Sequence, residues 1–400
     1  MTVVIAGGGT GGHTSPGLAV AAALRERGIA HAWIGSRDGL EARRAVEEGI
    51  PYHPIPTGKL RRYWAWRNLT DLAVNVPAGV VRAWALLRRL HPRVVLATGG
   101  FVALPVVLGA ALARVPVVVH EQTAVPGLAN RIAARRARRI AVTFAESGRH
   151  FRSGRVVVTG NPLRPELRAG SRADAVARFG LDPALPLVYV TGGAQGARPI
   201  NRAVGEIVGD LVAQAQVIHQ CGDHPATGDR AWLAARRDAL PPALARRYTV
   251  LPWVGAELSG IYAAAALVVT RAGAGTVNEC CQLGLSALYV PLPGASGDEQ
   301  TANARLVGRA GGCSILPQAS LTPQLLLERI HSLLADPPRL KEMGERARAL
   351  AIPDAADRLV TVLLEVAARP AGRSGAGRPG SEAPSGNETW RPPRAMRETR

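Results

Sequence analysis

Two glycine-rich stretches, one histidine and one glutamate carry most of the chemistry legible in this chain. Gly7-Gly8-Gly9-Thr10-Gly11-Gly12-His13 follows an apolar run at the start, and Gly192-Gly193-Ala194-Gln195-Gly196-Ala197-Arg198 follows another about 185 residues later. A glycine turn between a strand and a helix presents free backbone N–H groups and the positive end of the helix dipole. Phosphate fits there without help from a side chain. His13 stands at the helix start, beside whatever the first turn holds. An imidazole with an ordinary pKa of about 6.5 suits proton abstraction near neutral pH, although a histidine there can equally cap the helix or face solvent. In the second half, Thr270-Arg271-Ala272-Gly273-Ala274-Gly275-Thr276-Val277-Asn278-Glu279 again passes through small residues into a helix. Thr276 and the backbone near Gly273 to Gly275 could hold a diphosphate. Glu279, one turn inside the helix, could accept from vicinal hydroxyls, as acids do on ribose, or simply favour the helix dipole. A polar loop over residues 291–298 then leads into Glu299 and Gln300, groups suited to sugar hydroxyls.

The elements that must position these groups are readable. Short Val/Ile-rich runs recur at residues 3–6, 94–97, 117–120, 156–159, 187–191, 217–220, 267–270 and 287–290, with a further strand expected at 31–34. Many are apolar throughout instead of alternating, which marks strands buried on both faces. Ala-rich amphipathic stretches at 17–27 and 128–138 lie between them. That pattern predicts parallel sheets covered by helices. Two glycine-rich first turns predict two doubly wound α/β domains, with a boundary at the polar, proline-bearing Gly160-Asn161-Pro162-Leu163-Arg164-Pro165. The division expected is residues 1–162, residues 163–350, a C-terminal helix over 351–369 packing back on the first domain, and a Pro/Gly/Ser/Arg-rich disordered tail over 370–400.

Composition limits the function. The 400 residues are 47% hydrophobic, as in ordinary globular proteins. The best candidate for a spanning helix, residues 101–119, holds two prolines and Arg114. The start lacks a basic n-region, so no signal peptide is expected. The four cysteines form no C-x-x-C pair and there is no D-x-D, so neither a zinc site nor a metal held by paired aspartates is supported. The formal charge of +19 is uneven: residues 51–150 hold 15 Lys/Arg against Asp71, Glu121 and Glu146, a net +12, while residues 171–370 hold 19 against 18. A basic half suits an anionic membrane or nucleic acid, and arginine-rich codon usage is a third source. Gly58-Lys59-Leu60-Arg61-Arg62-Tyr63-Trp64-Ala65-Trp66-Arg67 has the composition of a membrane interface, and residues 80–90 follow with Trp84, Leu86 and Leu87 among Arg82, Arg88 and Arg89. These aromatics could instead pack in the core.

Gly7, Gly9 and Gly12 also satisfy G-x-G-x-x-G. A dinucleotide site needs an acid at the tip of the second strand, however, where Gly35-Ser36-Arg37 stands. A nicotinamide enzyme therefore remains a distant alternative. A P-loop is excluded for want of G-K-[ST]. Charge alone suggests a nucleic-acid binder, but no DNA- or RNA-binding signature accompanies it.

Taken together, several stretches resemble the MurG family of UDP-N-acetylglucosamine transferases, glycosyltransferase family 28. They are Gly8 to His13, Thr98-Gly99-Gly100-Phe101, His120-Glu121-Gln122-Thr123 with Pro126 to Arg131, Gly160 to Arg164, Gly192 to Arg198, Arg271 to Glu279, and Asp298 to Ala304, in the family's order. The resemblance implies a GT-B fold, two Rossmann-like domains with the site in the cleft between them. It implies transfer of GlcNAc from UDP-GlcNAc, with inversion, to the MurNAc 4-hydroxyl of the undecaprenyl-pyrophosphate lipid called lipid I. A related enzyme that glycosylates diacylglycerol is the alternative. Val254 is then expected at uracil, Glu279 at ribose, Ala274, Gly275, Thr276, Ala194, Gln195 and Gly196 at the diphosphate, Gln300 at GlcNAc and Arg164 at the donor. Thr10, Gly11, Gly12, Glu121, Thr123 and Asn130 are expected on the acceptor side, with His13 as base. The resemblance implies no metal or other cofactor. The expected partners are UDP-GlcNAc, lipid I, the anionic cytoplasmic membrane surface to which the protein would bind peripherally, and other cell-wall synthesis proteins, but not nucleic acid. Thr123, Ala194 and Glu299 stand where the family commonly has Asn, Ser, and His or Gln.

Overall fold

The computed structural model describes residues 1–58, 74–224, 226–294 and 296–368. The basic residues 59–67, with Trp64 and Trp66, and the tail from residue 370 lie outside the described residues. The rest builds two sheets. The first contains β1 (Thr2–Gly7), β2 (Ala30–Ser36), β3 (Tyr52–Ile55), β4 (Val94–Gly99), β5 (Val117–Glu121), β6 (Arg139–Val142) and β7 (Val156–Val158), in the order β3-β2-β1-β4-β5-β6-β7. The second contains β8 (Leu187–Thr191), β9 (Gln216–Gln220), β10 (Tyr248–Leu251), β11 (Ala265–Thr270), β12 (Ala287–Tyr289) and β13 (Cys313–Ile315), in the order β10-β9-β8-β11-β12-β13. Every strand pair is parallel.

Both faces of each sheet are covered, which is why the strands read as unbroken apolar runs. In β1, Val4 and Ala6 join a core with Leu86, Leu87 and Val106. Val3 and Ile5 join another core with Leu359, Val360 and Leu363, so the last helix, Ala355–Ala368, closes the first sheet's other face. In β8, Val188 and Val190 pack with Ile200 and Ile330, while Leu187 and Tyr189 pack with Ile261 and Val277.

Strands β3, β6, β10 and β13 are not evident from sequence. Each is only three or four residues long, and β3 contains Pro54, which an edge strand tolerates because its outer N–H groups need no ladder partner. The first helix begins at Gly11 instead of residue 17, because the Thr10 hydroxyl accepts from His13 N (3.5 Å) and starts the helix inside the glycine run. The helix expected over 128–138 ends at Ala134. In the helix Val76–Leu90 the two expectations divide by face: Leu86 and Leu87 are core, while Trp84 is 40% exposed.

Strand order reverses between β1 and β4 in the first sheet and between β8 and β11 in the second. Crevices beyond the C-terminal strand ends at such reversals are where open α/β sheets bind ligands. The glycine turns after β1, β4, β8 and β11 sit at these two points. The first helix must lie close on its sheet to aim its N-terminus there, and Gly17 permits it: a Cβ at Gly17 would stand 2.3 Å from the Trp33 ring. Gly17→Ala is expected to destabilise the fold by about 1–3 kcal/mol through overpacking, read as a lower denaturant midpoint; an unchanged midpoint contradicts this close approach.

Candidate active site

The two crevices open into one cleft, a cavity of about 440 Å³ lined from both lobes. The helix Gly11–Glu26 points its N-terminus in from the first lobe and the helix Ala274–Leu283 from the second. A Cβ on Gly275 would lie 3.5 Å from Gly12 Cα, so the two helix starts nearly touch. Neither first turn carries an acid, and Gly273 offers no side-chain cap. Two positive helix ends of unmet N–H groups therefore converge, an arrangement suited to anions.

Of the residues expected from sequence, Thr10, Gly11, Gly12, His13, Thr123, Arg164, Ala194, Val254, Ala274, Gly275, Thr276 and Glu279 line this cleft. Five do not. Gln195 is exposed on its turn. Gly196 packs on the Cys221 backbone, where a Cβ would overlap the carbonyl. Gln300 Oε1 accepts from Leu292 N at 2.9 Å, and it is the neighbouring Glu299 that reaches the cleft. Glu121 and Asn130 are buried behind the cleft wall. There the Glu121 carboxylate accepts from Thr123 N (2.9 Å), Thr123 Oγ1 (2.7 Å) and Asn130 Nδ2 (2.9 Å), which fixes the segment after β5.

His13 Nδ1 lies 3.1 Å from the Thr98 carbonyl, and Gln122 Nε2 donates to the same carbonyl at 3.1 Å. Gln122 Nε2 also lies 3.1 Å from His13 Nδ1; in the tautomer that donates Nδ1–H to the Thr98 carbonyl, Nε2 carries the lone pair. The contact needs glycine beside it: Gly99 has φ +103°, and a Cβ there would stand 2.8 Å from His13 Nδ1. Burial lowers the His13 pKa, partly opposed by the Glu121 charge and the Thr98 carbonyl. His120 is pushed down to about 4, chiefly by burial, and its Nε2 donates to Gly160 O at 3.1 Å. In the second lobe burial raises the Glu279 carboxyl, while a hydrogen bond from Tyr262 Oη (2.8 Å) and the Arg164 charge pull it down.

Sequence reading missed the residues that hold the lobes and turns in place. Asn278 Nδ2 donates to Gln122 O (3.3 Å), and Ala124 N donates to Asn303 Oδ1 (2.9 Å), so the segment after β5 is tied to the second lobe. Arg44 stacks 5.6 Å from the Trp253 ring across the cleft mouth. Glu41 is fully buried beneath the first glycine turn and accepts from Gly9 N (3.0 Å) and Ser36 N (3.1 Å). The acid absent from the tip of β2 thus comes from the following helix, and it occupies one of the N–H groups a dinucleotide pyrophosphate would need. Only the run of polar residues at the buried end of β5 could have hinted at Gln122.

Among the described residues no group of three or more His, Cys, Asp or Glu side chains could hold a metal ion, and no helix is long and apolar enough to cross a membrane. Two parallel-sheet lobes around an anion-ready cleft define the GT-B class of fold. Residues 3–142 match the glycosyltransferase family 28 N-terminal domain and residues 187–359 its C-terminal domain, and the chain belongs to that family. It is 41% identical over 373 residues to the UDP-N-acetylglucosamine--N-acetylmuramyl-(pentapeptide) pyrophosphoryl-undecaprenol N-acetylglucosamine transferase of Nocardioides sp., covering 92% of this chain and 98% of that one. It is 41% identical over 368 residues to the protein of the same name from Halorhodospira halophila, again covering 92% and 98%. The crystal structure of Acinetobacter baumannii MurG aligns with TM-score 0.68 at 29% identity over 91% of this chain and 99% of that one.

The electrostatics give a checkable expectation. By NMR titration the His13 imidazole should have a midpoint below 6.5, because burial disfavours its charged form. Glu121→Gln removes the opposing negative charge and should lower the midpoint further. A midpoint that rises in the variant contradicts the arrangement.

Proposed function

We propose that this chain transfers GlcNAc from UDP-GlcNAc to the MurNAc 4-hydroxyl of lipid I, the undecaprenyl-pyrophosphoryl-MurNAc-pentapeptide, to give the disaccharide lipid II. The observation that carries the reading is the cleft itself, where His13 from one lobe faces Glu279, Thr276 and Arg164 from the other, in a chain whose relatives bear that transferase's name. Residues 163–350 would take the donor, with the Val254 backbone at uracil, Glu279 at the ribose hydroxyls, and Ala274, Gly275, Thr276 and Ala194 at the diphosphate. Arg164 lies where it can meet the leaving charge. For the sugar, Glu299 is better placed than Gln300. Residues 1–162 would take the acceptor: Thr10, Gly11 and Gly12 at its pyrophosphate, and Thr123 on the cleft wall, positioned by Glu121 and Asn130.

The acceptor hydroxyl attacks the anomeric carbon from the face opposite UDP. Its proton passes to His13 Nε2, the new C–O bond forms, and the bond to the β-phosphate oxygen breaks with its electron pair going to UDP. The backbone N–H groups at the second helix start, together with Arg164, stabilise that charge. We propose that this needs no metal. The contacts from Asn278 and Asn303 hold the lobes together so that water is excluded from the reacting carbon.

The acceptor headgroup must be met at a bilayer. The described part of the first lobe offers exposed Val81, Trp84 and Leu112 near Arg82, Arg88 and Arg89, consistent with peripheral attachment to the anionic cytoplasmic face. Each cation near such a surface adds attraction on the scale of ~1 kcal/mol.

His13→Ala should lower kcat about 10²–10⁴-fold while UDP affinity stays nearly constant; turnover equal to wild type would remove His13 from the base role. Glu279 is expected to hold ribose best when ionised, so the KM for UDP-GlcNAc should rise as pH falls through its raised pKa. Glu279→Gln should bind the donor more weakly at neutral pH and lose that dependence, and a variant whose KM still climbs with acid would assign the titration elsewhere.

A further inference from the structure

The second lobe has another cavity, of about 670 Å³, which shares no lining residue with the cleft. It lies along β13, the edge strand of the second sheet. Its size falls within the roughly 300–1,000 Å³ typical of small-molecule sites. Five arginines from three helices line it: Arg305 and Arg309 on Glu299–Arg309, Arg329 on Pro323–Leu334, and Arg339 and Arg346 on Pro337–Arg348. The only acid in the lining, among the described residues, is Glu342, and it is bonded to Arg346 at 2.5 Å. Among the described residues the other four guanidiniums have no ion-pair partner. Glycines keep the space open: at Gly311, with φ +74°, a Cβ would stand 2.5 Å from Arg346 Nη1.

General arginine abundance does not account for this. Residues 171–370 are nearly neutral, with 19 Lys/Arg against 18 acids; elsewhere in that lobe Arg178, Arg202, Arg230, Arg236 and Arg237 have carboxylate partners, and those without one among the described residues, such as Arg172 and Arg246, do not line this cavity. Four unpaired guanidiniums facing one concavity repel each other until an anion joins them. Each presents a planar fork that matches phosphate oxygens two at a time.

We propose that this cavity binds a soluble small molecule bearing an oligophosphate group, at a site separate from the cleft. Isothermal titration with inorganic tripolyphosphate, in roughly 0.15 M salt where the Debye length is about 8 Å, tests it. With and without saturating UDP, the wild-type protein is expected to bind one equivalent through the cavity. R305Q/R329Q should weaken that binding at least about tenfold, as expected for losing two charge-assisted forks. R172Q/R246Q, which removes two exposed cations of the same lobe outside the cavity, should leave it unchanged. No wild-type binding, or equal losses in the two double variants, overturns the proposal, the second outcome by assigning the signal to net charge. Binding to phosphatidylglycerol vesicles separates a free anion from a lipid headgroup: R305Q/R329Q should bind vesicles like wild type, and a loss confined to vesicles overturns the soluble-ligand reading. The readout is the arginine dependence, so it stands whether or not UDP occupies the cleft, and a failure of the donor assignment is distinguishable from a failure here.

Discussion

Two helix N-termini of like sign meet in the cleft, and much of the site follows from that. The Gly11–Glu26 and Ala274–Leu283 helices bring their positive ends within contact of Gly12 and Gly275, with no acid in either first turn. Such a pairing is unfavourable in an empty cleft and favourable around bound phosphate. The fold accepts this because each helix is fixed by a sheet: apolar strands buried on both faces decide where the helices start. Small residues at the starts let the backbones approach: a Cβ on Gly275 would lie 3.5 Å from Gly12 Cα.

The same geometry makes His13 usable as a base. Its position comes from the Thr10 cap and from the Thr98 carbonyl and Gln122 amide, each 3.1 Å from Nδ1. Burial favours the neutral ring, with Glu121 opposing from behind the wall. Gln122 shares the Thr98 carbonyl with His13 while its own carbonyl receives Asn278 from the other lobe. Contact between the lobes and the setting of the imidazole therefore run through one residue. Glu41 does comparable work under the first turn, where its carboxylate holds Gly9 and Ser36 and leaves the outer N–H groups for a ligand.

How much of this is legible in the sequence follows from how local each signal is. A glycine turn after an apolar run is a local pattern, so both turns, His13, Thr276 and Glu279 are legible in the order of the residues, and so is the doubly wound class. Gln300 and Gln195 show where that reading fails. Neighbours on a helix start or a turn point in different directions, and Glu299 faces the cleft where Gln300 braces Leu292. The four missed strands are too short to show a period, and each forms against a neighbouring strand that supplies its hydrogen bonds.

By itself the sequence determined which residue types could hold phosphate, accept a proton and meet hydroxyls, and that two strand-turn-helix units would present them, since backbone conformation and apolar periodicity act over a few residues. Only the tertiary structure decided that the two units face each other. It alone placed Glu41, Gln122, Asn278 and Asn303 as the ties that hold them, and gathered Arg305, Arg309, Arg329, Arg339 and Arg346 into one cavity. These contacts join residues tens to more than a hundred positions apart, and only chain closure around the two cores brings such groups within the few ångströms over which hydrogen bonds and charges act.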